Sequence, residues 1–394
     1  MNERHVVLRS MAPRAHGDQD VLGGDAQPAG TAGKLAVEVR EMTRGSIPAL
    51  ARREDVLAVA PVIPMKLVEP RDVAPVAWPA GDDIAWGVRA VGADTSPFDG
   101  DGIVVAVLDT GIDAAHPAFA GVDVVQKDFT GEGNGDRHGH GTHCAGTIFG
   151  RTTAGRRIGV APGVRKALIG KVLGESGGSS EQIVSAIRWA VESGANVISM
   201  SLGMDFPGLV KEWQGRGLPV ELATSRALEG YRANVLLFER LASLVRAMDA
   251  FGQTTLIVAA AGNESRREVD PDFEIAVSPP AVADGVVSVA ALGQDAAGLA
   301  IAPFSNTGAT LCGPGVAIVS AKPGGGFATM SGTSMATPHV AGVAALWAQK
   351  LKAAGMLRAV DLVSRLVGSS VTEGLRAGFD PFDTGAGLVR APQG

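Results

Sequence analysis

From about residue 85 the chain alternates short apolar segments with segments of helical character, and this alternation constrains its fold more than any other feature. Uninterrupted apolar segments of this length are expected for strands that are buried on both faces of a parallel sheet. Helical segments at 180–192 and 235–250 separate several of them. We therefore predict an α/β fold with three layers, in which helices cover both faces of a mainly parallel sheet. The apolar segments are GIVVAVLDTG, ALIGKVL, ANVISMSLG, TLIVAAAGN and GVVSVAAL.

The chain before residue 85 is organised differently, with glycine and proline between short periodic segments. The pattern predicts a small α+β unit over residues 1–75, followed by a larger domain over 76–394. The predicted elements of the unit are strands at 5–9, 35–42 and 56–62, a helix at 46–53, a mobile loop at 17–34 and a proline-rich linker at 70–79.

Composition excludes several classes of protein. Hydrophobic residues make up 46% of the chain and charged residues 19%, which suits a large packed core rather than a disordered chain. A net charge of −6 gives no general attraction to nucleic acid or to an anionic membrane. The first residues lack the apolar core of a signal peptide. We therefore expect a cytoplasmic protein, or a secreted one if this start is incomplete.

Three segments carry the residue types of nucleophilic catalysis. They are VAVLDTGID at 105–113, HGHGTHCAGT at 138–147 and GTSMATPHVAG at 332–342. A serine hydroxyl is a poor nucleophile unless a base lies within hydrogen-bond reach, and a carboxylate can orient that base. Taken singly, Asp109, His140 and Ser334 could be a turn residue, a surface residue and a helix cap.

Together with VAAAGNES at 258–265 and SMSLG at 199–203, these segments resemble the active-site segments of the subtilisin-like serine proteases, the subtilase family. The order Asp, His, Ser is the subtilisin order, and the resemblance runs from about residue 86 to 391. It implies a serine endopeptidase with Asp109, His140 and Ser334 as the catalytic triad. The side-chain amide of Asn263 and the backbone N–H of Ser334 would stabilise the oxyanion.

The resemblance also implies a substrate cleft between two strand edges, in which an extended peptide adds as a further strand. Because none of the residues expected in the primary specificity pocket is acidic, a strict preference for Arg or Lys is not expected. Small apolar walls favour an uncharged side chain of medium or large size. The expected residues are Ser201, Leu202, Gly203, Ala260, Ala261 and Gly262, with Ser278 near the base of the pocket.

Other histidines and cysteines near these segments invite competing interpretations. His143 lies three residues after His140 and could form a metal pair with it, although the family context favours a structural histidine. Cys144 is found at this position in the proteinase K-like branch too, and we interpret it as a packed thiol rather than the nucleophile. His138 is expected in a loop beside the site. Structural roles are expected for His116 and His339.

The chain departs from the family pattern at two places. The family's strong calcium site uses an Asp where this chain has Ala118, and the loop FGRTTAGRRIG at 149–159 has arginines instead of oxygen ligands. We expect no required cofactor, and any calcium site elsewhere is unassigned. An insertion at about 204–233 contains Tyr231 and begins a helical stripe of apolar residues at three- and four-residue spacing. The members of the stripe are Leu228, Tyr231, Val235, Phe238, Leu241, Val245 and Met248. The insertion could cover the core, or form a lid or a docking element beside the cleft.

The N-terminal unit resembles the inhibitory propeptide of subtilases, and it would be a partner of the enzyme with cleavage expected within 69–85. The alternative is a permanent subdomain that is never cut. The other expected partners are protein or peptide substrates. Besides a general endopeptidase, two functions stay open: a specialised peptidase that trims a leader or macrocyclises it, and a catalytically silent binding module.

Overall fold

A computed structural model describes residues 2–11, 34–71 and 83–394. The N-terminal unit is a three-stranded antiparallel sheet with strand order β2-β1-β3. The central strand β1 is buried without alternation over residues 5–9, and Val6 and Leu8 belong to the hydrophobic core of the molecule. Its elements are β1 Glu3–Met11, β2 Lys34–Met42, a 3-10 turn at Arg44–Ser46, α1 Ile47–Ala51, β3 Val56–Pro61 and β4 Pro64–Leu67.

The predicted strands and helix of this unit correspond to β1, β2, α1 and β3, each within a few residues of its expected ends. Most of the predicted loop at 17–34 and most of the linker at 70–79 lie outside the described residues. The expected boundary between residues 75 and 76 lies there too, and so does most of the expected cleavage region.

The larger part of the chain alternates strands and helices as predicted. Its elements are α2 Trp86–Ala90, β5 Val104–Asp109, β6 Asp123–Asp128, α3 His140–Phe149, β7 Lys166–Lys171, β8 Gly178–Ser179, α4 Ser180–Glu192, β9 Val197–Met200, β10 Leu202–Met204, α5 Phe206–Gly215, α6 Val220–Ala247, β11 Leu256–Ala260, β12 Val286–Asp295, β13 Gly298–Ile301, β14 Leu311–Pro314, β15 Ile318–Ala321, β16 Phe327–Met330, α7 Thr333–Ala353, α8 Ala359–Gly368 and α9 Pro381–Thr384.

The main sheet has strand order β13-β12-β11-β9-β5-β7-β6, and β14 also pairs with β12. All of its pairings are parallel except that of β12 with β13. Helices cover both faces: α3 and α7 pack together, while α4 packs on β5 and β7. The chain thus has the three-layer α/β/α fold expected from its sequence. Because β5, β9 and β11 are parallel neighbours, their carboxyl ends meet at one edge of the sheet.

Helix α7 crosses the core and carries Ser334 in its first turn. Most of its residues are buried, and small side chains let other elements approach it closely. A Cβ on Gly342 would lie 2.6 Å from the Cβ of Val160, so only glycine fits there. This packing fixes the start of α7, and with it Ser334, against the sheet. None of the described helices combines the length and the apolar character needed to span a bilayer.

The insertion forms α5 and the first half of α6. Of the stripe predicted along α6, Phe238, Leu241 and Val245 are buried as expected, but Leu228 is half exposed. Within the insertion the buried face is formed instead by Ala223, Ala227 and Gly230. Small residues line this face because α6 packs on β3 of the N-terminal unit as well as on α5. The buried Asn234 amide donates to the Pro61 carbonyl at 3.0 Å. The insertion is therefore one of the surfaces on which the N-terminal unit rests.

Candidate active site

Asp109 and His140 meet at the carboxyl end of β5. Asp109 is the last residue of that strand, and His140 begins α3 after Gly139, whose φ of 96° favours glycine. The His140 Nδ1 donates to Asp109 Oδ1 at 2.8 Å, and both side chains are buried. Burial disfavours the imidazolium, but the charge of Asp109 outweighs it and raises the pKa of His140 well above its usual value. The pair is therefore suited to accept a proton at Nε2.

A further carboxylate, Asp136, organises the loop that precedes His140, and the sequence analysis missed it. It accepts hydrogen bonds from the hydroxyls of Thr110 at 2.9 Å and Thr142 at 2.6 Å, and from the Gly139 N–H at 2.8 Å. Burial opposes its charge, but these hydrogen bonds lower its pKa overall. The available signal was an Asp three residues before Gly139, a spacing typical of a side chain that caps a turn.

Ser334 and Asn263 lie next to each other at the start of α7. The Asn263 Oδ1 accepts from the backbone N–H and the hydroxyl of Thr333, both at 2.9 Å. These two donors fix the orientation of the amide, so that its Nδ2 donates to the carbonyl of Glu69 at 2.8 Å. The Ser334 Oγ donates to the carbonyl of Val68 at 2.7 Å. The buried Nε2 of His140 has no hydrogen-bond partner among the described residues.

Residues 64–71 of the N-terminal unit therefore occupy the cleft. Strand β4 lies between β10 and β8 and pairs antiparallel with both. Its continuation donates from Val68 N to Ser201 O at 3.2 Å and from Arg71 N to Ser331 O at 2.7 Å. An extended segment between two strand edges is the geometry of peptide binding by strand addition.

Four of the residues expected to bind substrate adjoin this segment, namely Ser201, Leu202, Gly203 and Ser278. A Cβ on Gly203 would lie 3.0 Å from Ser278 Oγ and 3.7 Å from Val68 Cγ2, so these three residues adjoin. Leu202 pairs with Leu67 in the β10–β4 ladder. On the other side, Ala260 and Ala261 are buried, and Gly262 has a φ of 116°. A Cβ there would lie 2.2 Å from Asn306 Nδ2, so the turn into Asn263 requires glycine.

Comparison with known proteins identifies the family. The model of the subtilase family matches residues 100–380. The chain is 32% identical over 316 residues to subtilisin DY of Bacillus licheniformis, a match that covers 78% of this chain and 96% of that protein. This chain belongs to the subtilase family.

This subtilase has further relatives. It is 36% identical over 258 residues to an intracellular serine protease of Paenibacillus polymyxa, which covers 63% of this chain and 67% of that protein. The crystal structure of fervidolysin from Fervidobacterium pennivorans shares its fold, with a TM-score of 0.67 at 22% identity over 99% of this chain and 60% of that one. The family and the fold together make this subtilase a serine-type endopeptidase.

The thiol of Cys144 lies beside the reactive groups of this subtilase. Its Sγ is 3.7 Å from His140 Nδ1, 3.8 Å from Ser201 Oγ and 3.4 Å from the Ser334 carbonyl. Burial raises the pKa of Cys144, which keeps the sulfur protonated and weakly nucleophilic. Cys144 and Cys312 are both free and buried.

The other histidines have separate surroundings. The ring of His143 hydrogen-bonds the Ile318 carbonyl at 3.0 Å, and burial lowers its pKa to about 3. His339 bonds the Met335 carbonyl, and burial lowers its pKa to about 4. His116 bonds the Gly326 carbonyl at 2.9 Å, whereas His138 is half exposed with its Nε2 3.9 Å from Glu69. Among the described residues, the only group of three or more His, Cys, Asp or Glu ligand atoms within 4.8 Å is Asp109, His140 and Cys144, and His143 is not part of it.

The arginine-rich loop at 149–159 places guanidinium groups on backbone carbonyls. Arg151 donates to the Val164 carbonyl and Arg157 to the Ala93 carbonyl, both at 2.9 Å. Ala118, where the family pattern has an Asp, is fully buried and offers no side-chain oxygen. A cationic side chain thus takes carbonyl oxygens of the kind that a calcium ion would use.

Proposed function

We propose that this subtilase cleaves peptide bonds by acyl transfer through Ser334, His140 and Asp109. The Ser334 Oγ attacks the substrate carbonyl while His140 Nε2 accepts its proton and later passes it to the leaving nitrogen. Asp109 holds the imidazole by Nδ1 and stabilises the imidazolium. The Asn263 amide and the Ser334 N–H, an unpaired donor of the first helical turn, would receive the oxyanion.

The observation that carries this proposal is the buried His140 ring, bound to Asp109 through Nδ1 while its Nε2 is unused. A fluorophosphonate probe reacts with an activated serine and tests the role directly. We expect the active enzyme to be labelled on Ser334 and the Ser334→Ala variant to take no label. Labelling that persists in Ser334→Ala would contradict the assignment.

The N-terminal unit would act as an internal inhibitor, since residues 64–71 fill the cleft in which a substrate must bind. Cleavage beyond these residues, within the expected range 69–85, would separate the unit from the enzyme. N-terminal sequencing of active enzyme tests this. If active preparations start only at Met1, as those of Ser334→Ala would, the unit is a permanent subdomain instead.

Val68 indicates what the primary pocket accepts. Its side chain is buried beside Gly203 and Ser278, with no acidic group among the residues predicted to line the pocket. We infer a preference for uncharged side chains, which cleavage of a peptide library would measure.

A specialised processing peptidase is the second candidate, because the insertion that forms α5 and the first half of α6 directly follows β10 and could narrow the choice of substrate. Digestion of casein at many bonds supports the general endopeptidase. One defined cut in a single peptide supports the specialised one.

A further inference from the structure

The segment that fills the cleft follows two registers that differ by one residue. In its upstream half, residues 64–68, β4 pairs with β10 and Val68 N donates to Ser201 O. This half presents the Val68 carbonyl to the Ser334 hydroxyl. In its downstream half, residues 70–71, Arg71 N donates to Ser331 O at 2.7 Å. That half places the Glu69 carbonyl on the Asn263 amide at 2.8 Å.

Acyl transfer requires the Ser334 hydroxyl and the Asn263 amide to act on the same carbonyl group. The nucleophile must attack the same carbon whose oxygen the oxyanion donors stabilise. Here the Ser334 Oγ contacts the Val68 carbonyl, whereas the Asn263 Nδ2 contacts the Glu69 carbonyl. Neither peptide bond is therefore in contact with both the nucleophile and this oxyanion donor. The chain contains one residue too many between the two halves.

Neither half is free to slide into the other register. Upstream, Val68 and Met65 are buried, and the ladder with β10 fixes their positions. Downstream, the Arg71 guanidinium donates to the Asn263 carbonyl, in addition to the bond from Arg71 N. The Asn263 amide is itself held by Thr333. A one-residue shift of either half would break several of these contacts together.

We propose that this one-residue offset keeps the inhibitory segment uncut while it lies in the active site. The inference rests on the proposed roles of Ser334 and Asn263. The Val68–Glu69 bond would then resist cleavage because of the length of the segment, and not because of tight binding alone. Pro70 is an alternative explanation for the absence of cleavage. Its nitrogen is a poor leaving group in the Glu69–Pro70 bond and carries no N–H.

Deletion of Pro70 tests the offset by restoring a single register. Val68 then precedes the bond to be cut, and Glu69 follows it with an ordinary N–H. Ser334 Oγ would bond to the Val68 carbonyl carbon and the bond to the Glu69 nitrogen would break. His140 would carry the serine proton to that nitrogen, and water would then release the acyl group. Because loss of one oxyanion donor costs roughly 10²–10³ in kcat, a value measured on subtilisin, we expect cleavage at Val68–Glu69 at least about 100-fold faster than in the wild type.

Pro70→Ala is the matched control, since it removes the proline and keeps the length. The offset predicts that Pro70→Ala stays uncut at Val68–Glu69 and at the following bond. A chain with one glycine inserted after Glu69 should also stay uncut. Intact mass and N-terminal sequencing over time measure all variants, with Ser334→Ala versions as the uncleavable reference. If Pro70→Ala is cut as fast as the deletion variant, proline chemistry is responsible and the offset is wrong.

Folding and function are tested separately. Thermal melting of the Ser334→Ala versions reports whether each variant folds. A folded deletion variant that stays uncut, alongside wild-type enzyme that labels with fluorophosphonate, overturns the offset alone. If the deletion variant does not fold, Pro70→Ala still decides, because rapid cleavage at Val68–Glu69 or at the following bond contradicts the offset and persistence of both bonds supports it. Activated wild-type enzyme, freed of the N-terminal unit, that takes no label contradicts the proposed function instead.

Discussion

The proposed catalytic centre and the surface that holds the N-terminal unit depend on different interactions. At the centre, Asp109, His140 and Ser334 are at most 1% exposed, and short hydrogen bonds fix the neighbouring loops. The docking surface instead has small residues on α6 and ion pairs such as Arg226 with Glu3 at 3.3 Å, whose side chains are 27% and 20% exposed. Removal of one member of a buried hydrogen-bond network costs much stabilising free energy, whereas each partly exposed ion pair contributes little. We therefore expect single changes at the centre to be severe and changes at the docking surface to be graded.

The largest effect is expected from Asp109→Asn. An amide at this position can favour the wrong imidazole tautomer while it keeps the geometry, so kcat should fall by about 10⁴-fold. Steady-state hydrolysis of a peptide substrate by activated enzyme measures it. Asp123→Asn, an exposed change at the start of β6, should leave kcat unchanged. A fall in kcat of less than tenfold in Asp109→Asn would show that the mechanism does not depend on this carboxylate.

Asp136→Asn should be the next most severe, by displacing the loop before His140. Misplacement by about 1 Å can cost about 10²-fold, and we expect that loss in kcat with little change in KM. Because the pKa of Asp136 is lowered on folding, its carboxylate stabilises the fold above the ordinary Asp pKa, and this contribution is lost as the pH falls through its folded value. The stability difference between wild type and Asp136→Asn should therefore narrow below about pH 4.

Asp128→Asn is the control for this change, because Asp128 makes similar turn contacts at the end of β6, including one from Thr130 N at 2.8 Å. It should leave kcat unaffected. A stability difference that grew on acidification would contradict the role given to the Asp136 carboxylate.

The sequence was sufficient to predict the fold, because the fold depends on local patterns, whereas the roles of the candidate catalytic residues stay a prediction. Apolar segments identified the strands, and their carboxyl ends placed Asp109 and Asn263 at one edge of the sheet. Asp136 was missed since its donors, Thr110 and Thr142, come from different segments. The carbonyls that face Ser334 and Asn263 could not be predicted either. They depend on a register between segments more than 190 residues apart in sequence.

Arg157→Ala should lower the stability of the catalytic part. The Arg157 guanidinium donates to the carbonyls of Ala93 and Gly159, and a charged hydrogen bond contributes about 1.5–3 kcal/mol. We expect a loss of about that size in urea unfolding of the Ser334→Ala form. A calcium chelator should leave the wild type unchanged if arginines alone support this loop. A large chelator effect that Arg157→Ala does not alter would place calcium elsewhere in the chain.

At the docking surface, Gly230→Leu should loosen the N-terminal unit. A Cβ on Gly230 would lie 3.6 Å from Pro61 Cγ and 3.7 Å from Ile63 Cγ2, so alanine fits but a longer side chain does not. Overpacking costs about 1–3 kcal/mol, so we expect roughly a tenfold higher initial rate on a short peptide before the chain is cut. Gly230→Ala is the matched control and should behave as wild type. Equal rates in the leucine and alanine variants would show that α6 does not hold the unit.

The smallest effect is expected from Lys66→Glu. Lys66 Nζ lies 3.4 Å from Asp205 and 3.8 Å from Glu264, and all three side chains are about 40% exposed. Such pairs contribute about 0.2–1 kcal/mol, so reversal of the charge should raise the initial rate of the uncut chain only about two- to fivefold. Lys66→Gln should give a smaller rise, since it removes the attraction without adding repulsion. Because salt screens exposed charges, the difference between the two variants should shrink at high ionic strength. A rise comparable to that of Gly230→Leu would mean that charge, rather than close packing, dominates the docking surface.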